Sequence, residues 1–235
     1  MSSKFMKSIL CVGVAVLIAA VAWGFLKVYS SYNKNLSKIE KLNDRLSTLR
    51  AAMNVDSIRQ YNMQKIMGII KKHNSSMPSE KVYDIANEIY KMSLKYSNLN
   101  VDLICAVITH ESAGKWDPEI TSKDGAMGLM QLMPVTCSYL AQAESLPMSS
   151  PKKLAFNPIY NIRMGCRLLS LLVERYGVKG GLAAYNGGER MASIWLNNGK
   201  EDQYLWKETR EYVPAVFNLY TKYQKRGHEF VSSPS

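Results

Sequence analysis

The chain has 235 residues, of which 47% are hydrophobic and 21% are charged. This composition excludes an intrinsically disordered chain, and 4 cysteines are too few for a disulfide-stabilised miniprotein. Basic residues outnumber acidic ones by 30 to 19, and most of the excess lies in the first 100 residues. That charge favours an anionic neighbour such as lipid head groups or a cell-wall polymer. Because no dense Lys/Arg tract is interleaved with aromatic residues, we expect no nucleic-acid partner.

The first apolar segment, residues 8–26, contains no charged residue. A helix that crosses a bilayer needs about 20 apolar residues, so residues 1–28 are predicted to form an N-terminal transmembrane anchor. A cleaved signal segment is the alternative, because Ala-Val-Ala at residues 20–22 has the small residues of a cleavage site.

Residues 29–78 are predicted to form a helical stalk or linker. Apolar residues recur in it at helical spacing, at Leu36, Ile39, Leu42, Leu46, Leu49 and Met53. The last four follow steps of four, three and four, which are typical of a helical seam. A membrane-proximal stalk is the favoured interpretation, with a short coiled coil and a helix packed on its own domain as alternatives.

From residue 79 onward the apolar pattern predicts helices and no strands. The predicted helices cover residues 79–97, 101–111, 134–144, 159–176, 182–185, 191–196 and 212–223. We therefore expect one mainly α domain at residues 79–226, followed by a C-terminal tail at residues 227–235. A domain of this length is large enough to bury a hydrophobic core.

A glutamate on an apolar helix face is the strongest chemical signal. Ile104, Val107 and Ile108 lie three or four residues apart, and Glu111 continues their row. Burial disfavours the ionised form of a carboxyl group and raises its pKa, which suits a general acid. The alternative is a structural glutamate that pairs with a lysine or arginine at a helix end.

Metal chemistry is not indicated by the same segment. His110 and Glu111 begin an H-E-x-x-H zinc signature, but Gly114 stands where the second histidine is required. The 3 histidines of the chain include no pair at metal-ligand spacing, so no metal site and no cofactor are predicted. Three acidic residues in the following loop keep a second catalytic carboxylate open: Asp117, Glu119 and Asp124.

Two glycine-rich segments suit a carbohydrate. Residues 125–134, GAMGLMQLMP, place Gln131, which has both a donor and an acceptor, beside glycines that permit close approach. Residues 183–188, AAYNGG, place Tyr185 and Asn186 next to two glycines. The alternative for the first segment is a tight turn before a helix, with the methionines in the core.

The order of these motifs resembles the soluble-type lytic transglycosylases of glycoside hydrolase family 23. The motifs are Glu111-Ser112, Gly128-Leu-Met-Gln131, Ala184-Tyr-Asn186 and Glu208-Thr-Arg-Glu-Tyr-Val213, with Asn161-Ile162 and Gly165 in a middle helix. The resemblance covers about residues 80–225 and implies a lysozyme-like helical catalytic domain. It implies that Glu111 is the single catalytic acid/base. It also implies a set of substrate-binding residues: Ser122, Gln131, Met133, Tyr185, Asn186 and Glu208. Ser112 and Tyr212 are expected to have structural roles.

The implied reaction cleaves the β-1,4 bond between N-acetylmuramic acid and N-acetylglucosamine in peptidoglycan glycan strands. With one assigned carboxylate, the attacking group comes from the substrate, and the product is a 1,6-anhydromuramoyl end. A hydrolytic lysozyme-type muramidase and a non-catalytic glycan-binding assembly module are the alternatives.

The apolar segment and the implied reaction together predict a location. We expect membrane attachment through residues 8–26, and the implied reaction requires the catalytic domain to face the cell wall on the periplasmic side. Wall remodelling, a secretion apparatus and a virion that opens the wall during entry all fit this arrangement. The lysines that flank the predicted span instead favour a C-terminal part that stays inside, so the orientation is left open. A disulfide between Cys137 and Cys166 is considered, but free thiols are expected.

Overall fold

The computed structural model describes the backbone of residues 3–147 and 149–231, and the side chains of residues 23–147 and 149–225. The chain divides into two compact units, Met1–Ile58 and Arg59–Ser235. Helix α1 spans Ser3–His73, so the division falls within this helix.

The predicted membrane span, residues 8–26, falls mostly on residues 1–22, whose side chains lie outside the described set. Among the residues that the structure does describe, no helix is both long enough and apolar enough to cross a membrane. The predicted C-terminal tail, residues 227–235, also has no described side chains.

The second unit is helical, which confirms the mainly α fold. After α1 come α2 (Ser79–Lys95), α3 (Val101–Glu111), α4 (Pro134–Ala143), α5 (Pro151–Phe156), α6 (Pro158–Gly187), α7 (Glu189–Asn197), a 3₁₀ turn (Asp202–Tyr204) and α8 (Lys207–Val231). The bounds of α3 agree with the prediction, whereas the short α5 was not predicted. Outside the helices, the described residues form two isolated β-bridges, Thr121 with Met127 and Met127 with Leu132.

Helix α6 contains a break that the sequence predicts. The periodic pattern was expected to end at Gly177, and the structure has φ 68° and ψ 174° at that residue. A positive φ favours glycine, because other residues meet steric strain there. The chain resumes a helical course directly afterwards, so the separately predicted segment at residues 182–185 is the second part of α6.

Helix α3 lies at the centre of the core. Asn100 caps its N-terminus, where the Asn100 side chain accepts a hydrogen bond of 2.9 Å from the backbone N–H of Leu103. Residues 103–109 are all buried, as expected for a helix that is apolar on all sides. The last turns of α1 contribute to the same core through Met63, Ile66 and Ile70. These turns of the predicted stalk therefore pack on the helical unit.

The glycine-rich loop before α4 is held by a buried side chain of α6. The Asn161 side chain accepts a hydrogen bond from the backbone N–H of Met130 (2.7 Å) and donates one to the carbonyl of Met127 (3.0 Å). Gly128 has φ 79°, and a Cβ at this position would overlap Asn161 and the backbone of Ala155. Both the glycine and the asparagine are therefore required for the shape of this loop.

A chain of hydrogen bonds begins at the buried Trp116, in the loop directly after α3. Trp116 Nε1 donates to Thr109 Oγ1 (3.0 Å), which is 2.9 Å from the Tyr223 hydroxyl. That hydroxyl is 3.3 Å from His73 Nε2, and His73 Nδ1 is 3.0 Å from the carbonyl oxygen of Gly114. Because a carbonyl oxygen only accepts, His73 donates from Nδ1, and in the neutral ring Nε2 accepts from Tyr223. The chain fixes the loop after α3 to helices α1 and α8.

The cysteines of the described region are thiols. Cys105, Cys137 and Cys166 are free and buried, so the disulfide considered from the sequence does not form. Burial raises the pKa of the Cys137 thiol to about 11 and raises the pKa of the other two thiols further. Protonated buried thiols are poor nucleophiles, which leaves these residues a packing role.

We expect Thr109→Val to destabilise the helical unit by about 1–3 kcal/mol, because the buried Trp116 indole loses its hydrogen-bond acceptor. The free energy of unfolding, measured with urea, is the readout. Thr109→Ser keeps the hydroxyl and is the matched control. Equal stability of the valine and serine variants would contradict the role given to this hydrogen bond.

Candidate active site

Glu111 is the last residue of α3 and is partly buried. The helix before it lies in the core, so its carboxyl group is held at the edge of the apolar interior. The chain then turns sharply, with positive φ at Ala113 (50°), Gly114 (71°) and Trp116 (50°). Trp116 is fully buried. The buried indole therefore fixes the turn, since its Nε1 donates to Thr109 of α3.

The carboxyl group of Glu111 has one neutral hydrogen-bond partner. The Tyr212 hydroxyl donates to Glu111 Oε1 over 2.7 Å. Burial raises the pKa of Glu111 from 4.5 to about 7, the Tyr212 hydrogen bond opposes this rise, and the charge of Glu208 adds to it. The negative end of the α3 dipole acts in the same direction as burial. The protonated form of Glu111 is therefore well populated near neutral pH.

The aromatic side chains near Glu111 are uncharged near neutral pH. Burial raises the pKa values of the Tyr185 and Tyr212 phenols well above 10, and the charge of Glu111 adds to both increases. The His110 ring contacts Tyr212 edge-on at 4.7 Å between ring centroids, and burial lowers the pKa of His110. None of the ion pairs in the described part of the chain includes Glu111. The described residues therefore show no Glu–Lys or Glu–Arg pair at this position.

Asn186 and Glu208 bring the end of α6 to the start of α8. Asn186 Nδ2 donates to Glu208 Oε1 over 3.4 Å, and Thr209 Oγ1 donates to Asn186 Oδ1 over 2.7 Å. Thr209 is buried whereas Glu208 is exposed. The buried Thr209 therefore orients the Asn186 side chain, while the Glu208 carboxylate next to Asn186 faces solvent.

Gln131 and Ser122 shape the loop itself. Gln131 Nε2 donates to the carbonyl oxygens of Gly128 (2.8 Å) and Ile120 (3.3 Å). Ser122 Oγ accepts a hydrogen bond from the backbone N–H of Ala126 (3.0 Å). These contacts give both side chains a structural function in the loop.

The predicted site residues fall into two groups and one outlier. Glu111 interacts electrostatically with Tyr185 and Glu208, and Asn186 contacts Glu208, so these four form one cluster. The loop of Ser122 and Gln131 joins this cluster where the Tyr185 hydroxyl donates to the Met130 carbonyl over 2.8 Å. The outlier is Met133, which directly precedes α4. Its surface is 45% exposed, and it takes part in none of these contacts.

Tyr212 is the residue whose role the sequence analysis missed. It was expected to pack, and although it is buried, its hydroxyl is the hydrogen-bond partner of Glu111. The sequence did contain a signal for this role. Tyr212 lies four residues after the predicted site residue Glu208, so both side chains share one face of α8. The structural role expected for Ser112 is confirmed, since its hydroxyl accepts a hydrogen bond of 3.1 Å from the backbone N–H of Trp116.

The chemistry of this cluster marks it as the candidate site. A cavity of about 460 Å³ lies along α4 and the segment that follows it, and none of the predicted site residues lines that cavity. The acidic residues of the loop after α3 are exposed: Asp117, Glu119 and Asp124. Within the described residues, no group of three His, Cys, Asp or Glu side chains is arranged to hold a metal ion.

Comparison with known proteins identifies relatives of this chain. Residues 88–206 match the family model of the transglycosylase SLT domain. The chain is 32% identical over 150 residues to the soluble lytic murein transglycosylase of Escherichia coli K12, a match that covers 58% of this chain and 23% of the relative. It is 42% identical over 97 residues to the transglycosylase of Enterobacteria phage PRD1, covering 41% of this chain and 32% of the relative.

Solved structures show the same fold. The 70 kDa soluble lytic transglycosylase of Escherichia coli aligns with a TM-score of 0.52 and 28% identity, over 63% of this chain and 24% of that one. The lytic transglycosylase Slt of Pseudomonas aeruginosa aligns with a TM-score of 0.53 and 26% identity, over 60% of this chain and 24% of that one. The matched region thus spans about a third or less of each relative. The lysozyme-like helical domain expected from the motifs is confirmed, and the chain belongs to the transglycosylase SLT domain family.

Proposed function

We propose that this chain is a lytic transglycosylase that cleaves the β-1,4 bond between N-acetylmuramic acid and N-acetylglucosamine in peptidoglycan. The observation that carries the proposal is Glu111, a carboxyl group at the edge of the core whose pKa is about 7 and whose partner is the neutral Tyr212. The names of the relatives, which are lytic transglycosylases, support the same reaction.

In the first step, protonated Glu111 acts as the general acid. Tyr212 holds Oε1, so the proton on Oε2 is given to the glycosidic oxygen as the bond to the anomeric carbon breaks. The N-acetyl carbonyl of the muramic sugar stabilises the positive charge that develops there. A general acid with a pKa near the working pH is effective in both directions of proton transfer.

In the second step, the Glu111 carboxylate acts as the base. It takes the proton of the 6-hydroxyl of the same muramic sugar, and that oxygen attacks the anomeric carbon. The ring closes to a 1,6-anhydromuramoyl end, Glu111 recovers its proton, and no water is consumed. Because the nucleophile belongs to the same sugar, its effective concentration is far higher than that of a free alcohol.

The remaining site residues are proposed to bind the glycan. Tyr185, Asn186 and Glu208 lie around Glu111 and offer polar groups to the sugar hydroxyl and N-acetyl groups. Gln131 and Ser122 are also proposed to bind the glycan, in addition to holding the adjacent loop in shape. Met133 is proposed to extend this surface at the start of α4, where its side chain is exposed.

Hydrolysis by a lysozyme-type mechanism is the main alternative. It requires a second carboxylate to activate water. The carboxylate whose charge acts on Glu111 is Glu208, and that residue contacts Asn186. The three exposed acids of the loop after α3 are not among the groups that shift the pKa of Glu111, which favours a nucleophile supplied by the substrate. The pairing of Glu111 with Tyr212 argues against a non-catalytic glycan-binding module.

We also propose how the chain is organised in the cell. Residues 79–226 carry the activity and face the cell wall on the periplasmic side. Residues 1–28 anchor the chain through the span at 8–26, and residues 227–235 are a tail. Residues 29–78 form the stalk, whose last turns pack into the core of the helical unit. The identity with a phage transglycosylase supports wall opening by a virion component, with remodelling and a secretion apparatus as the other settings.

Digestion of purified sacculi tests the reaction. Wild-type protein should release muropeptides with 1,6-anhydromuramoyl ends, which mass spectrometry distinguishes from reducing ends by the mass of one water. Glu111→Gln should lower the rate by at least about 10²–10⁴-fold, because the amide has no proton to transfer. Reducing ends throughout would establish a lysozyme-type hydrolase, and near-normal turnover by Glu111→Gln would rule out this catalytic assignment.

Two controls separate chemistry from folding. Glu119→Gln makes the same change at an exposed carboxylate and should leave the rate unchanged.

Because the folded pKa of Glu111 exceeds its value of 4.5 in the unfolded chain, its stabilising contribution is complete below pH 4.5 and is lost as pH rises through 7. Glu111→Gln should therefore be more stable than wild type above pH 7, by about 1–3 kcal/mol.

The pH dependence of cleavage should report the carboxyl group of Glu111. Activity is expected to fall as pH rises through about 7, because the general acid loses its proton. Tyr212→Phe removes a hydrogen bond that lowers this pKa, so the falling limb should move to higher pH. An unchanged limb in Tyr212→Phe would mean that another group sets the profile.

Deletion of residues 1–28 should release the chain from membranes and leave sacculus cleavage intact. Membrane fractionation and the digestion assay measure the two effects. A full-length chain that is recovered without membranes would contradict the anchor, and an inactive truncated chain would contradict the assignment of activity to residues 79–226.

A further inference from the structure

Helix α1 carries one continuous apolar stripe between residues 29 and 53. Its large apolar side chains follow one another at intervals of three or four residues, and the other positions hold polar residues or alanine. We call these residues the seam: Tyr29, Tyr32, Leu36, Ile39, Leu42, Leu46, Leu49 and Met53. The seam thus extends well beyond the four residues, Leu42 to Met53, that first indicated it.

The seam is exposed along its whole length. The exposed fraction of its side chains ranges from 45% at Leu36 to 68% at Met53. All side chains of residues 23–60 are exposed. Eight large apolar side chains in a row are unfavourable in water and indicate a missing partner.

The period of the seam specifies what that partner is. Seven steps lead from Tyr29 to Met53, a mean spacing of about 3.4 residues, which is shorter than the 3.6 residues of a straight helical turn. A stripe of this period winds around a straight helix in the left-handed sense. A flat surface cannot follow it, whereas a second helix in a left-handed coiled coil does.

We propose that the seam binds the seam of a second copy of this chain in a parallel, two-stranded coiled coil over residues 29–53. The spacing contains one irregularity, two consecutive steps of three on either side of Ile39. Two identical strands in parallel register place this irregularity at the same level. The heptad spacing that runs from Tyr29 to Ile39 would next place Asn43 at the interface. There it meets Asn43 of the second chain, and a single buried asparagine of this kind favours one register.

The area available is sufficient for such a pair. Full burial of a large apolar side chain removes roughly 60–120 Å² from water, so the seams of two copies bury on the order of 1,000–1,900 Å² together. Stable protein interfaces bury about 1,200–2,000 Å². This proposal rests on helix α1 and is independent of the proposed glycan chemistry.

The mass of the full-length chain in mild detergent, measured by size-exclusion chromatography with light scattering, tests the pairing. We expect a protein mass of twice 26.5 kDa. The double variant Leu42→Lys, Leu46→Lys should be monomeric, whereas Ser47→Lys, Ala51→Lys, with the same added charge away from the seam, should stay dimeric. Both variants should retain the thermal unfolding transition of the helical unit, which does not contain these positions. A monomeric wild type, a trimer, or a dimer that tolerates the seam lysines would overturn the proposal.

Cysteine cross-linking tests the parallel register. In a Cys11→Ser background, where the three remaining native cysteines are buried, Leu36→Cys and Leu46→Cys should each form a disulfide-linked dimer on mild oxidation. Lys38→Cys lies on the opposite face and should not. Absence of a cross-link at both seam positions, or equal cross-linking at position 38, would contradict a parallel pair in register.

Discussion

The hydrogen bond between Tyr212 and Glu111 is the interaction on which the site depends. Glu111 ends a helix that is buried from Leu103 to Thr109, so its carboxyl group leaves the helix where ionisation is disfavoured. Without a partner, a buried carboxylate would be unstable, and with a cationic partner it would stay ionised at neutral pH. The neutral Tyr212 phenol can donate its hydrogen bond to Glu111 whether or not the carboxyl group is ionised. This hydrogen bond lowers the pKa of Glu111, but by less than burial raises it. This balance suits a group that must both give and accept a proton.

The rest of the helical unit keeps this pair in place. Helix α8 carries Tyr212 and is joined to α3 by the Thr109–Tyr223 contact. Between α3 and α4, the start of the connecting loop is fixed by Trp116, and its glycine-rich end is fixed by Asn161 of α6. Helix α1 takes part through His73, which bonds the backbone of the loop that follows Glu111. The terminal turns of the predicted stalk are therefore structural elements of the site.

The sequence predicted those parts of the fold that depend on local pattern. The bounds of α3, the break at Gly177 and the position of Glu111 at the end of a buried face all follow from periodicity and turn chemistry. Contacts between distant segments were not predictable in this way. Glu111 and Tyr212 are 101 positions apart in the sequence, and the packing that joins them is encoded by no local pattern. Burial of Trp116 likewise depends on Thr109 and Ser112, whose side chains bond its indole and its backbone N–H.

The central claim is that the folded chain holds a proton on Glu111 near neutral pH. Nuclear magnetic resonance of protein labelled with ¹³C at glutamate side-chain carboxyl groups measures this directly, with Glu111→Gln used to assign the resonance. We predict that the Glu111 carboxyl group titrates near pH 7. A titration of Glu111 near pH 4.5 would contradict the account of how this site performs acid catalysis.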